Sequence, residues 1–500
     1  MIKNIKIQFI FLLGCFIFMN SCSTDEGNYD YIEINEVVFD GLLEDYIAPR
    51  FENLKISTDQ VKFTMDSDAT GNYEYSWEAV SKNQLNNEIY KLSTDKNIDA
   101  QITLLPGNYT LYYLVKDLNT DVEFQYSANL EVINSIYEGW MVLSDVAGEA
   151  RLDMVSLLEG EYKEIHDVLA FSQSPLTLSG TPGFVQCYPL ESNFYGVYVS
   201  TSGNGTTKLD PDTFDWRAAN NLSYEFVTQQ PEDFEASNLH VKASRMAVVM
   251  ADQNFYVFNP IFGVKYGTPQ NVSFGGARFD VSPHFGKGDF FNGFTKMAFF
   301  DETNKKFVYH DGYFSNCWDV PSSDEMFTPG KDLLFMVSNE YNGNWDSTFA
   351  VLKDPNDGKN YIGFFILGSF SQQHYSEITA IDFDQAEHIA IDPNYAYIMY
   401  NVGSKVYEYD IFTGTTVEML DKGSQEITKL EYRDFLRSGP DNIYKKYEKQ
   451  LIVCTYDASG TEGSNGTMEL YNVPPVQGQI ELDTSYSGFG KIVSIAYRER

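Results

Sequence analysis

Six histidines, His166, His240, His284, His310, His374 and His388, are scattered through a chain of 500 residues. No two of them stand four apart around a glutamate, the helical spacing by which a zinc protease holds its metal. The chain has no Cys-x-x-Cys pair and no Gly-x-Ser-x-Gly elbow to present a serine nucleophile. Between Phe279 and Phe294, Gly286 and Gly288 lack the following Gly-Lys-Ser/Thr of a phosphate loop. Asp354-Pro355-Asn356-Asp357-Gly358 has the look of a calcium loop, but its glycine comes one position early and no bidentate glutamate closes it. It reads as a turn. No metal or other cofactor is expected. With 71 Asp and Glu, paired carboxylates occur everywhere, so they do not single out a glycosidase, whose two carboxyls must flank a sugar at a defined separation.

Binding leaves a different trace: aromatic rings in loops, bordered by amides, acids and glycine. Flat rings cover the apolar face of a sugar while Asn and Asp side chains meet its hydroxyls. The first candidate is Glu340-Tyr341-Asn342-Gly343-Asn344-Trp345-Asp346, in which Tyr341, Asn342, Asn344, Trp345 and Asp346 form the expected ligand contact. Trp216, in Phe214-Asp215-Trp216-Arg217, and Trp318, in Asn316-Cys317-Trp318-Asp319, are further candidates, as is the aromatic stretch His284 to Phe294 with Phe285, Phe290 and Phe291. Against all of them stands the ordinary use of large rings as packing material between sheets.

The address is written at the N-terminus. Lys3 and Lys6 precede an apolar run from Ile7 to Met19, then come Asn20, Ser21 and Cys22. That run of about 13 residues is too short for the ~20 needed to span a bilayer as a helix. It has the three-part form of an export signal, and a cysteine directly after the small residue marks a lipobox. Residues 1–21 are therefore expected to be a lipoprotein signal peptide, with Cys22 the lipidated residue and 22–27 an acidic tether. Several acyl chains on one residue give stable membrane attachment. Loss of Lys3 and Lys6 takes the formal charge from −36 to about −38, so nucleic acid is not an expected partner. Of five cysteines, Cys187, Cys317 and Cys454 lie in the body. An odd three excludes complete pairing, and Cys454 in Leu451-Ile452-Val453-Cys454 reads as a buried thiol.

The elements that must carry these residues are strands. The 35 Tyr and 37 Phe suit half-buried pleated surfaces. Over 28–136, short alternating strands are broken by turns, and Tyr73-Glu74-Tyr75-Ser76-Trp77 places Trp77 on one face with both tyrosines, as a sandwich core plug. Over 137–500, strand pairs recur at roughly 45 to 60 residues: Met246 to Met250 with Asn254 to Phe258, Met297 to Phe300 with Lys306 to His310, Tyr395 to Tyr400 with Lys405 to Asp410. This predicts an all-β chain, an immunoglobulin-like β-sandwich followed by a β-propeller of about seven blades. Two packed sandwiches or a twisted solenoid are the other readings. In a propeller, Lys491 to Tyr497 would lie beside Trp140 to Leu143 and close the ring.

The Tyr75-Ser76-Trp77 strand, Pro106-Gly107-Asn108-Tyr109-Thr110-Leu111 and the strand end Val115-Lys116-Asp117 resemble a PKD-type immunoglobulin-like domain. With the lipobox, Gly27-Asn28-Tyr29-Asp30-Tyr31, Gly139-Trp140 and Gly488-Phe489-Gly490-Lys491-Ile492-Val493, nearly the whole chain resembles the PKD-like family of Bacteroidota lipoproteins. Glu78-Ala79-Val80 stands where such modules have a tight Asp-Gly, so their calcium and turn features do not carry over. The acidic tether resembles the signal that sends lipoproteins of that phylum to the outer face of the outer membrane. The resemblance implies an accessory protein that captures an oligosaccharide or similar oligomer beside a TonB-dependent porin and its partner binding lipoprotein. A protein or peptide interaction platform is the alternative, and a carboxylate-dependent hydrolase the weaker one.

Overall fold

A computed structural model describes residues 33–82, 88–188, 195–242, 246–259, 263, 265–287, 296–344, 346–439 and 442–500. Cys22, the signal sequence, the tether, Phe290, Phe291 and Trp345 lie outside the described residues. The fold is all-β, and the chain divides into two compact units, Met1–Ile133 and Asn134–Arg500. Among the described residues no helix is long and apolar enough to cross a membrane.

The first unit is an immunoglobulin-like sandwich. Its main sheet runs Asp45–Pro49, Val122–Ile133, Gly107–Asp117, Tyr73–Ser81, Ile89–Ser93, and Asn53–Ile56 pairs with Ile98–Gln101 in a second sheet. Strand alternation turns Trp77, Ala79, Leu111, Tyr113 and Val115 inward. Trp77 stacks on its cross-strand partner Tyr113 at 4.3 Å, and its indole N–H donates to the Asp95 carbonyl at 3.2 Å. The Tyr109 hydroxyl donates to the Leu105 carbonyl at 2.8 Å, pinning the corner that Pro106-Gly107 turns.

Seven antiparallel sheets are described in the second unit, six of them meanders of consecutive strands and the first completed by the last strand. Their first strands are, in order, Lys491–Arg498, Pro182–Tyr188, Asn238–Lys242, Gly286–Lys287, Asp332–Asn339, Ile389–Ile391 and Glu426–Glu431. The middle strands are buried on both faces, as in Met246–Ala251 and Gln450–Tyr456, which is why they read as unbroken apolar runs instead of alternating ones. Each sheet packs on the next. Tyr198 of the second meets Ala247 of the third, Phe299 of the fourth lies with Phe255 of the third and Phe365 of the fifth, and Phe349 joins Ile398 of the sixth. Met399 of the sixth then joins Val453 of the seventh.

The ring closes on itself. Lys491–Arg498 pairs antiparallel with Gly139–Val146, so the last strand completes the first sheet, and Trp140 packs with Ile452 and Phe489 of the seventh. Between first and second sheets, the Ser494 hydroxyl accepts from the Val185 N–H at 3.1 Å. Seven sheets in a closed cycle are the arrangement of a propeller. The final residues add a clasp: Arg498 donates to the Ile136 carbonyl, Arg500 pairs with Asp212 at 2.6 Å, and Glu499 accepts from the Leu436 and Arg437 N–H groups at 2.9 and 2.6 Å.

Candidate functional site

A propeller's sheets are narrowest where they meet, and there the pleat must turn every second side chain of a first strand toward the axis. In this protein the seven first strands surround a cavity of about 1170 Å³. Gln186 and Asn238 reach it from the second and third sheets, and Lys287, Val337, Ile391, Glu431 and Ser494 reach it from the other five. Segments before the strands, Pro283 to Phe285 and Asp384 to His388, and after them, Glu340, Asn342, Gly343, Pro393 to Tyr395 and Tyr432 to Asp434, extend its wall.

Sugar-like chemistry is well represented on that wall. Amides come from Gln186, Asn238, Asn339, Asn342, Asn360 and Asn394, and rings from Phe184, Phe285, Phe335, Phe383, Tyr395 and Tyr432. Six cations and six carboxylates are among its described residues, although the chain as a whole has 35 basic residues against 71 acidic ones. They interleave. Lys287 is paired with Asp434, Lys445 with Glu340 and, at 3.2 Å, with Glu448, while Lys429 lies 3.4 Å from Glu431. Asp384 meets Lys353 at 3.4 Å, and Glu387 accepts from the Asn401 amide at 2.8 Å. Burial raises the Glu448 carboxyl above its usual range.

Three of the six histidines, His240, His284 and His388, are on this wall. Burial lowers the basicity of all three; Lys287 and Arg433 lower His240 further, and Lys429 does so for His388. Neutral imidazoles at pH 7 offer one donor and one acceptor each. Among the described residues no three His, Cys, Asp or Glu side chains are placed to hold a metal ion. The cavity wall thus combines amides, rings and paired charges of both signs.

The sequence candidates are dispersed. Asn342 is brought to the cavity, in a left-handed conformation (φ 56°) that asparagine tolerates better than most residues. Tyr341 is not: its ring is buried between Phe349 and Phe364 at 5.7 and 5.5 Å, so it packs the fifth sheet instead of offering a platform. Asn344 accepts from the Asp346 N–H at 3.0 Å, and Asp346 leads into strand Ser347–Lys353. Trp216 is half-buried and donates to Thr207 at 2.7 Å. Trp318, in the fourth sheet's outermost strand, stacks on the exposed Phe274 at 4.4 Å, with exposed Tyr313 and Phe314 beside it. Asp354 to Gly358 form a hairpin turn, with the Asp354 side chain accepting from the Asn356 N–H at 2.9 Å.

Sequence reasoning missed Gln186, His240 and Arg433, whereas His284 and Phe285, from the candidate aromatic stretch, are on the wall. A signal was present: a polar residue between buried neighbours within a first strand, as in Val185-Gln186-Cys187 and Leu239-His240-Val241.

Residues 22–174 match the PKD-like family, a span that runs beyond the sandwich through three strands of the second unit's first sheet. No curated protein matches the chain. Among solved structures, a quinonprotein alcohol dehydrogenase-like protein from Bacteroides thetaiotaomicron is 12% identical, covering 90% of this chain and 96% of that one with a TM-score of 0.46. TolB from Acinetobacter baumannii is 9% identical, with coverage of 79% and 81% and a TM-score of 0.34. A DUF4784 family protein from Bacteroides caccae is 9% identical, with coverage of 93% and 98% and a TM-score of 0.31.

Proposed function

We propose that this protein, PKD-like over residues 22–174, is a non-catalytic binding lipoprotein that captures an oligosaccharide or similar oligomer in the central cavity of its propeller. The observation that carries this reading is the wall itself: amides, rings and interleaved charges from six sheets, with Ser494 from the first, converge on one space. Wall carboxylates held by lysine, arginine or amide partners favour holding a ligand over transferring protons. Cys22 supplies the anchor, the acidic residues after it favour the outer face of the outer membrane, and a TonB-dependent porin with its binding lipoprotein is the proposed recipient.

A glycan array followed by calorimetry on residues 23–500 tests the ligand, and silence across plant and host glycans would sink it. For the address, Cys22→Ala should shift the full chain from the membrane to the soluble fraction and abolish labelling by palmitate. Retained labelling would refute the lipobox.

One observation favours a second reading, a protein interaction platform. The rings of Phe274, Tyr313, Phe314 and Trp318 cluster on the outer side of the fourth sheet, and the first three are more than half exposed. Exposed aromatic clusters of this kind occur at protein contacts. Pull-down from intact outer membranes that returned a stoichiometric protein partner, without any glycan affinity, would select this reading.

A further inference from the structure

The charges on the cavity wall narrow the class of ligand. Arg433 follows the seventh sheet's first strand, yet its Nη2 reaches the second sheet and donates to Gln186 Oε1 at 3.1 Å. Its neighbouring carboxylate, Glu431, accepts from Nη1 at 3.5 Å and is shared with Lys429 at 3.4 Å, both longer than the ~2.7–2.9 Å of a strong charge-assisted hydrogen bond. A guanidinium carries five N–H donors in a planar fork, and this one keeps a fifth of its side chain open toward the cavity.

Arg433 and Gln186 mark one corner of a cavity whose wall also holds Lys287, from the fourth sheet, and His240, from the third. A carboxylate suits this guanidinium better than a hydroxyl group does, because its two oxygens match the fork. Here Lys287, Lys429 and Arg433 stand with two carboxylates, Asp434 and Glu431, whereas the chain as a whole is acidic, so this corner can accept one further negative group.

We propose that this corner is a carboxylate subsite gripped by Arg433, and that the captured oligosaccharide contains uronic acid residues. This rests on the oligosaccharide reading above. Lys287 is neutralised by Asp434, so the grip falls to Arg433, which Gln186 positions.

Calorimetry on residues 23–500 with a panel of uronic acid oligomers, their methyl esters and neutral oligosaccharides tests it. An acid form should bind about tenfold or more tightly than its ester, and added salt should weaken only the acid. Arg433→Gln should weaken the acid far more than the ester, so that the preference falls to about twofold or less, and Arg433→Lys should retain part of it. If Arg433→Gln fails to fold, Gln186→Ala should still lower the preference by a smaller factor. Equal affinity for acid and ester, binding of neutral or sulfated glycans alone, or an unchanged preference in Arg433→Gln overturns the subsite and leaves the oligosaccharide reading standing. Silence toward all glycans, or binding of acidic peptides only, overturns both.

Discussion

Trp140 and Tyr497 stand opposite each other across the antiparallel pair that joins the beginning of the second unit to its end, with ring centroids 4.9 Å apart and planes at 85°. Around them Phe435, Tyr444 and Tyr447 complete an aromatic block, and the Tyr162, Tyr447 and Tyr497 hydroxyls are hydrogen-bonded at 2.7 and 2.9 Å. The block is the seam of the ring. Trp140→Ala removes its largest side chain from a fully buried position and should cost about 3–5 kcal/mol. Denaturant titration checks this; a loss under 1 kcal/mol would mean the seam does not hold the ring shut.

The clasp and the sixth sheet make stability depend on pH in one direction. Burial, reinforced by Asp392 and opposed by Gln477, pushes the fully buried Glu408 up to about 7. Burial also pushes Glu499 up to about 7, against its two backbone N–H donors. Both folded values lie above the ordinary glutamate value, so the native state binds more protons between them. Their contribution is fully present below about 4.5 and is lost as pH rises through 7.

The two glutamates should respond differently to an amide. Glu408→Gln should flatten the slope and raise stability at pH 8 by about 1–3 kcal/mol. Glu499→Gln sets an amide against backbone donors and should destabilise at every pH. Chemical denaturation of both variants at pH 5 and 8 reads the result, and a Glu408→Gln slope equal to the parent's would exclude Glu408 as a source.

Cys187, Cys317 and Cys454 are buried free thiols, and burial pushes the Cys187 thiol up to about 12, with the other two also raised. Thiolates are the reactive form. In residues 23–500 iodoacetamide should label none of the three over an hour in the folded state and all three in denaturant, read by intact mass.

Phe274 is 71% exposed and stacked on Trp318. Replacing both by alanine should change stability by less than about 1 kcal/mol, since little surface is withdrawn from water, and should leave glycan affinity unchanged. Loss of a captured envelope protein in the double variant would place the interaction face here; loss of glycan binding would instead move the sugar site to this edge.

Which parts of this were legible in the sequence follows from the range of the forces involved. Alternation in Tyr73 to Trp77 is a two-residue period, and it announced both a strand and an inward Trp77. The repeat from Met246 to Phe258 is local in the same sense, a hairpin written in consecutive residues, and it announced sheets of one kind. The pairing of Trp140 to Leu143 with Lys491 to Tyr497 was inferable because a ring of sheets must not leave a long edge unpaired.

The site was not legible in that way. Tyr341 and Asn342 are neighbours in sequence, yet one ring enters the fifth sheet's core while the amide faces the cavity, a choice set by the turn's backbone angles and the space between Phe349 and Phe364. Gln186, His240, Lys287 and Arg433 carry no shared motif. They line one cavity because seven first strands surround it, and only the closed ring brings Arg433 across to Gln186. The sequence determined the strands, the two units' character and the lipobox pattern, all of which rest on neighbours a few residues apart. The tertiary structure decided which polar side chains face one another, because that depends on contacts between residues hundreds of positions apart.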